Sequence, residues 1–413
     1  MAPTWVLTSG WSRAFFSLFP GSLKKLFLSL SSRIAICKLK IFTMKSVGKQ
    51  WPILVFVIIL LATNGYVYGQ ERYRVMFYNV ENLFDPFKDS LTHDEEYTPA
   101  GARFWTWKRM TDKLNNIYKV IAAVGEWNPP VLVGFSEVEN RFVMNRLIEH
   151  TPLSKFNYRL VHRESPDRRG IDVALIYRPD RFVVEDERFF RVYYPDDSTR
   201  TTRDVIYASG ILDGIDTLHV FVNHWPSKYG GALATEPGRI SAAKRVLSKV
   251  DSIRIFYPDA RIIIMGDFND TPYSKPLIEG LGALPPEEPL KPDGLYNLHL
   301  PYVARGEGTL KFQGAWEIID MMVVSKSLLD REHGVFTSLD GGKIFRADFL
   351  EEPDDAFVGI RPFRTYIGFR YHVGYSDHFP IYMDLYPNRR IEPVSYTHLR
   401  AHETVLDLVC SLL

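Results

Sequence analysis

The chain has 413 residues, 46% hydrophobic and 24% charged, values that exclude collagen-like and wholly disordered classes and leave room for a packed core. Its 50 basic and 49 acidic residues give a net charge of +1, but residues 1–69 hold eight basic residues and no acid. The other 344 residues, 42 basic against 49 acidic, therefore stand at −7, which argues against a protein that coats nucleic acid through a strong basic excess.

The two cysteines, Cys37 and Cys410, lie near opposite ends, so no disulfide framework holds the middle of the chain. In chain order, residues 1–43 show no acid and no clean periodicity, and are read as upstream sequence ahead of a true start at Met44. Lys45 and Lys49 then precede a 12-residue apolar run, 51–62 (WPILVFVIILLA), and a polar turn at Thr63, Asn64 and Gly65. That is the grammar of an export signal, with cleavage expected before Gln70. As a helix the run would span about 18 Å against the roughly 30 Å of a hydrocarbon core, so export is favoured over anchoring. Residues 70–392 contain no low-complexity linker, internal repeat or heptad array and are expected to form one large domain.

Within that domain strand-length apolar runs alternate with helix-type stretches, the pattern of an α/β fold. Residues 72–78 (RYRVMFY) read as a strand followed by Asn79 and Glu81. Phe104, Trp105 and Trp107 (RFWTW) suit core packing, a lipid contact or stacking on a base, and lead into an amphipathic helix over 107–124. Residues 131–136 (VLVGFS) end at Glu137, and 171–177 (IDVALIY) follow Arg169 and include Asp172. Residues 218–223 (LHVFVN) end at His224, with Lys228 shortly after, and a second amphipathic helix over 239–252 opens with Arg239. Residues 261–265 (RIIIM) deliver Gly266, Asp267 and Asn269, and Asp320 interrupts the apolar run EIIDMMVV ahead of a strand over 321–324. Asp377 and His378 precede the last strand-like run, 379–386 (FPIYMDLY), which Pro387 closes. Residues 394–413 resemble translated adaptor sequence, with a short amphipathic helix as the other reading. The tail 393–413, including His398 and His402, is set aside.

Polar side chains of catalytic type thus follow nearly every strand, where a rigid sheet displays function on its loops. Each has a plain structural alternative: a Gly-Asp turn at 266–269, a solvated strand end at Glu137, a core or surface histidine at His224, a simple turn at Asp377 and His378. Asp320 differs, because an unpaired carboxylate in an apolar run is costly to bury and so calls for a partner.

The ordered set NVENLFD, SEVEN, RGIDVALIYRP, NHWPS, GDFND, IIDMMVVS and SDHFPI, spread over residues 72–386, resembles the endonuclease/exonuclease/phosphatase superfamily that includes DNase I-like nucleases, and its secreted bacterial members in particular. The resemblance implies a four-layered α/β sandwich, two mixed β-sheets packed face to face with flanking helices. It also implies a divalent cation, usually Mg²⁺ with Mn²⁺ or Ca²⁺ as alternatives, held by Glu137, Asn79 and Asp377 through the oxygen ligands Mg²⁺ prefers. On the same resemblance His378 touches the scissile phosphate, oriented by Asp320, while Asp267 and Asn269 position the attacking water. His224 is then a second imidazole near the phosphate, with Asp172 as its carboxylate partner beside the substrate. Arg169 contacts phosphate or forms a solvated pair with Arg168, and Lys228 and Arg239 are further candidates at the rim. No GxSxG, P-loop or core Cys offers a competing covalent mechanism.

The substrate implied is nucleic acid, because His224 in NHWPS resembles the DNA-degrading branch, and the enzyme is expected to act as a monomer without a membrane anchor. A phosphodiesterase or phosphatase on lipid or inositol headgroups is one alternative. A noncatalytic binding protein on the same scaffold is the other, and the joint presence of Glu137, Asp267, Asn269, Asp320 and His378 weighs against it. Setting both ends aside leaves 41 basic and 47 acidic residues over 70–392, an exported, thiol-free domain at −6.

Overall fold

The structure, a computed structural model, describes residues 71–388 apart from 195, 196, 198 and 199. The expected upstream segment, export signal and tail lie outside the described residues. Chain order runs β1 (Tyr73–Leu83), α1 (Trp107–Gly125), β2 (Leu132–Val138), α2 (Arg141–His150), β3 (Arg159–Val161), β4 (Asp172–Tyr177), β5 (Phe182–Phe190), β6 (Val205–Leu212), β7 (Asp216–His224), α3 (Ala232–Phe256), β8 (Arg261–Asp267), β9 (Ala283–Leu284) and β10 (Leu295–Asn297). A hairpin, β11 (Leu310–Phe312) and β12 (Ala315–Glu317), precedes β13 (Asp320–Ser325), the short β14 (Val335–Phe336) and β15 (Lys343–Ile344), two further hairpins, β16 (Glu351–Pro353) with β17 (Ile360–Pro362) and β18 (Tyr366–Ile367) with β19 (Arg370–Tyr371), and the closing β20 (Ile381–Pro387).

The long strands build two seven-stranded mixed sheets. One has the order β14-β20-β1-β2-β4-β3 with β15 also on β20; the other runs β5-β6-β7-β8-β13-β10-β9. Each is centred on a parallel pair joined through a helix: β1 with β2, and β7 with β8.

Alternation along single strands explains the layering. In β1, Val75 and Phe77 belong to the core between the sheets, with Leu132, Val220, Val222, Ile263, Met265 and Met383. Met76 and Tyr78 belong instead to a second core shared with Ile117 and Val120 of α1 and Val143 and Leu147 of α2. On the far side, Phe221, Ile262, Ile264 and Met321 pack with Ala242, Val246 and Val250 of α3. The result is helices, sheet, sheet, helix: the four-layered sandwich. Central strands covered on both faces read as continuous apolar runs, which is why they stand out in the sequence. Among the described residues no helix is long and apolar enough to cross a membrane.

Differences from the expected elements have local causes. Helix α3 begins at Ala232, ahead of the expected start at Arg239, because Pro237 lies inside it and masks the helical pattern. Strand β5 lies at the edge of its sheet and carries the charged run Glu185, Asp186, Glu187 and Arg188, so it shows no continuous apolar signal. The RFWTW cluster is divided: Trp105 is fully buried with its indole N–H donating to the Phe84 carbonyl at 2.8 Å, whereas Phe104 and Trp107 are exposed.

At Gly134 of β2 the layer between the sheets leaves no room for a side chain. A Cβ there would stand 2.8 Å from Met265 Cε, 3.1 Å from Val222 Cγ1 and 3.2 Å from Phe77 Cδ2. Gly134→Val should therefore cost about 1–3 kcal/mol of overpacking, and adding Met265→Ala should recover part of the loss. Urea unfolding of both variants against wild type measures it.

Candidate active site

The functional side chains cluster because both sheets end their central strands at the same edge of the sandwich. Asn79 and Glu137 come from the adjacent strands β1 and β2, and Asp377 and His378 from the turn entering β20. His224, Asp267 and Asp320 lie at the aligned ends of β7, β8 and β13, His224 opposite Asp267 and Asp267 opposite Asp320 in the register. The strands reach further than their apolar runs suggest, and these polar residues are their last or first members.

Two hydrogen bonds join the halves. Asn79 Nδ2 donates to Asp267 Oδ2 at 3.0 Å, and His378 Nδ1 donates to Asp320 Oδ2 at 2.7 Å. The backbone around them is shaped to serve. Glu81, Asn82, Glu137 and Asn269 have φ of 49°, 58°, 61° and 50°, the left-handed region where strain collects at functional sites. The β1–β2 register shifts between Asn79 and Leu83, and Asn82 N donates to Glu137 Oε2 at 3.0 Å, fixing that carboxylate. Asn269 N donates to Asp267 Oδ1 at 2.8 Å, while its side chain donates to the Trp225 carbonyl at 3.0 Å. Gly266 is required because a Cβ there would run into the backbone of Asn223 on the neighbouring parallel strand.

Ser376 ties the last turn to β1, donating to the Asn79 carbonyl at 2.7 Å and accepting from His378 N at 3.1 Å. Thr309, fully buried, ties it to β13: its hydroxyl accepts from Asp320 N at 3.2 Å and its carbonyl from Phe379 N at 2.7 Å.

The two imidazoles are driven to different charge states, one cationic and one neutral. Burial alone disfavours the His378 imidazolium, but the bonded Asp320, with Asp377 and Asp267 beyond it, raises His378 well above the usual histidine range. His224 is pushed well below that range by burial and then by Arg203, Arg169 and His378. Its Nε2 lies 3.6 Å from Asp267 Oδ2, and its Nδ1 is buried without a partner among the described residues. Asp267 is raised to about 7, chiefly by burial and then by Asp320. A cationic imidazole, a neutral one and a carboxylate of raised basicity make a set able to stabilise an oxyanion and accept a proton from water.

A second polar layer lies behind Asp377. Arg364 Nη2 bonds Asp377 Oδ2 at 2.9 Å, and its Nε stands 3.5 Å from Glu81 Oε1. Glu81 also accepts from Thr365 N at 2.6 Å, while Lys113 of α1 donates to the Tyr375 carbonyl at 2.6 Å. Burial followed by Asp377 raises Glu81 to about 7, and burial lowers Lys113 to about 8 against the pull of Glu81 and Asp377. Sequence reasoning assigned no role to Lys113, Arg364, Thr309 or Arg203, and none to Glu81 beyond its place at a strand end. Only Lys113 leaves a trace, a lysine among Met110, Leu114 and Ile117 on the apolar face of its helix.

Other expectations need correction. Asp172 is not paired with His224: it accepts from Ser165 N at 2.9 Å and lies 3.6 Å from His162 Nε2. Arg239 is not at the rim but fully buried, its Nε bonded to Asp270 Oδ2 at 2.7 Å, because α3 starts early enough to carry it inward. Lys228 is engaged by Glu317 at 3.4 Å and Asp270 at 3.7 Å. Arg169 remains exposed, 3.7 Å from Asp167.

A buried grouping of ionisable ligand atoms brings Asp267, Asp320 and His378 within 4.8 Å of one another. Asp320 and His378 spend their facing atoms on each other, so they form an acid–base pair first. Asp320 Oδ1 is nonetheless buried with no hydrogen-bond partner among the described residues, and Asp267, raised chiefly by burial and then by Asp320, is a second carboxylate beside it. Together with Glu137, Asp377 and Asn79 this is an oxygen-rich donor set that fits a hard divalent cation.

The profile of the Endonuclease/Exonuclease/phosphatase family matches residues 74–386. The chain belongs to that family. Its members hydrolyse phosphoesters, and this protein is a phosphoester hydrolase. Solved structures with a similar fold include a humanized D. rerio TDP2, 15% identical, covering 76% of this chain and 98% of that one with a TM-score of 0.48. An endonuclease/exonuclease/phosphatase family protein from Bacteroides thetaiotaomicron is 16% identical over 77% of this chain and 96% of its own, with a TM-score of 0.47. A mannosyl-6-phosphatase from the same species is also 16% identical, covering 76% and 99% with a TM-score of 0.47. No curated protein matches by sequence.

In this phosphoesterase the Asp320–His378 pair is the element whose geometry fits acid–base work most directly. Asp320→Asn removes the charge that holds His378 protonated and should lower kcat by about 10²–10⁴. Initial rates on bis(4-nitrophenyl) phosphate, with circular dichroism to verify folding, measure it.

Proposed function

We propose that this phosphoesterase is an exported, divalent-metal-dependent endonuclease that hydrolyses phosphodiester bonds of nucleic acid. The observation that carries the reading is an open cleft of about 560 Å³ beside His224, lined among the described residues by Arg168, Arg169, Arg200 and Arg203 against one carboxylate, Asp167. In a domain whose overall charge is negative, that local positive surface suits a polyanionic backbone. Export rests on the basic and apolar stretch 44–69.

A divalent cation held by Glu137, Asn79 and Asp377 would neutralise charge on the phosphoryl oxygens and polarise phosphorus, with Mg²⁺ the best match to those ligands. The chain's own groups supply the rest. Asp267, fixed by Asn79 and by Asn269 N, orients the attacking water and takes its proton as the new P–O bond forms. His378, held by Asp320, donates to a nonbridging oxygen as negative charge builds, and neutral His224 offers a second contact. The bond to the leaving oxygen breaks, and that oxygen takes a proton from solvent. The alternative of lipid or inositol headgroups draws on the exposed aromatic group Phe87, Trp107 and Phe142, whose rings meet edge to face.

Assay of the protein on plasmid DNA, RNA, sphingomyelin and phosphoinositides with Mg²⁺, Mn²⁺, Ca²⁺ or EDTA separates these readings. The expected result is Mg²⁺-dependent nicking of plasmid, abolished by EDTA and reduced at least about 10²-fold in His378→Ala. Equal nicking by wild type and His378→Ala would reject the mechanism, turnover in EDTA would reject the metal, and turnover of lipid alone would reject the substrate.

A further inference from the structure

The arginine-lined cleft is built more specifically than a basic patch. Arg203 is buried, and its guanidinium spans Asp167 Oδ2 at 3.1 Å and the Trp225 carbonyl at 2.6 Å. The same carbonyl accepts from Asn269 Nδ2 at 3.0 Å, so the cleft and the catalytic centre share one backbone oxygen, on the residue that follows His224. Thr202 and Arg203 both line the cleft, and Thr202 Oγ1, in a residue 1% exposed, and Arg203 Nε, in a residue 5% exposed, are buried with no hydrogen-bond partner among the described residues. Buried donors are nearly always satisfied, so a pair left open on the wall of a cleft points to an acceptor that arrives with a ligand.

Further features give that acceptor a charge. Arg200 stacks on Tyr194, its guanidinium carbon 4.0 Å from the ring centroid, which pre-orients a planar donor of the kind that grips phosphate in two places. Helix α3, 25 residues long, places Thr235 of its first turn on the cleft wall. Asp167 is already engaged by Arg203 and by Arg169, leaving the cleft cationic.

We infer that this cleft binds a second, non-scissile phosphate of the substrate, the neighbour along a phosphodiester chain of the phosphate that His378 and Asp267 attack. The inference rests on the nuclease reading above and sharpens it: the enzyme prefers substrates with a phosphate adjacent to the one it hydrolyses, and Tyr229 at the lip of the cleft, 93% exposed, offers a ring to the intervening nucleoside.

The test compares thymidylyl-thymidine, which carries only the scissile phosphate, with the same dinucleotide bearing an added 5′ or 3′ phosphate. In wild type, the phosphate on one side raises kcat/KM at least tenfold. Arg200→Ala, at an exposed position, and Thr202→Val each remove most of that gain, with rates normalised to bis(4-nitrophenyl) phosphate. The salt dependence of cleavage of a longer oligonucleotide falls by about one unit of slope in Arg200→Ala. Equal kcat/KM with and without the flanking phosphate, in an enzyme that does cut DNA, overturns the inference and leaves the nuclease reading intact. If no nucleic acid is cleaved, calorimetric titration of the metal-free protein with inorganic phosphate decides the cleft separately. Binding weakened about tenfold by Arg200→Ala supports a phosphate site, and binding unaffected by Arg200→Ala or Thr202→Val overturns it.

Discussion

The hydrogen bonds from Asn79 to Asp267 and from His378 to Asp320 cross from one sheet to the other, and the chemistry depends on them. Neither sheet carries a complete site. One supplies Asn79, Glu137, Asp377 and His378; the other supplies His224, Asp267 and Asp320. They meet because the inter-sheet core is packed tightly enough, at Gly134, Phe77, Val222 and Met265, to hold the strand ends at bonding distance. A shift of about 1 Å between the sheets would separate groups that act only together. The close packing of a buried apolar layer thus becomes the precision of a polar site at its edge.

Electrostatics at that edge follows from burial combined with pairing. Many carboxylates share a small volume, and bulk water is largely absent to screen them. The protein compensates with Arg364 and Lys113 behind Asp377 and Glu81, and with the imidazole of His378 against Asp320. His224 has no such carboxylate to itself and faces Arg203 and Arg169 instead, so burial leaves it neutral. One imidazole carries charge and the other does not, and the division of labour between them comes from neighbours rather than from residue type. The same separation holds at larger scale. The domain is negative overall, yet its carboxylates gather at the strand ends while arginines line the adjacent cleft.

Much of the architecture was legible because buried central strands must be apolar on both faces. The runs at 131–136, 218–223 and 261–265 mark such strands, and the polar residues that end them mark the site edge. Strand β5 was not legible, since an edge strand with one solvated face can carry a run of charge. The true start of α3 was hidden by Pro237, and with it the burial of Arg239 against Asp270. The partner of Asp172 was not legible either: packing, not sequence pattern, puts His162 rather than His224 beside it.

Taken alone, the sequence determined the layered α/β class, the strand ends that display polar groups and the family to which those motifs belong, because periodicity and short motifs are local properties of a chain. The tertiary structure alone decided which groups meet. Asn79 and Asp267 are 188 residues apart, and Glu81 and Thr365 are 284 apart. Partners at such separations are set by the register of strands and the contact of sheets, and so is the charge each group carries. No local pattern encodes that Arg169, Thr202 and Arg203 line one cleft beside His224.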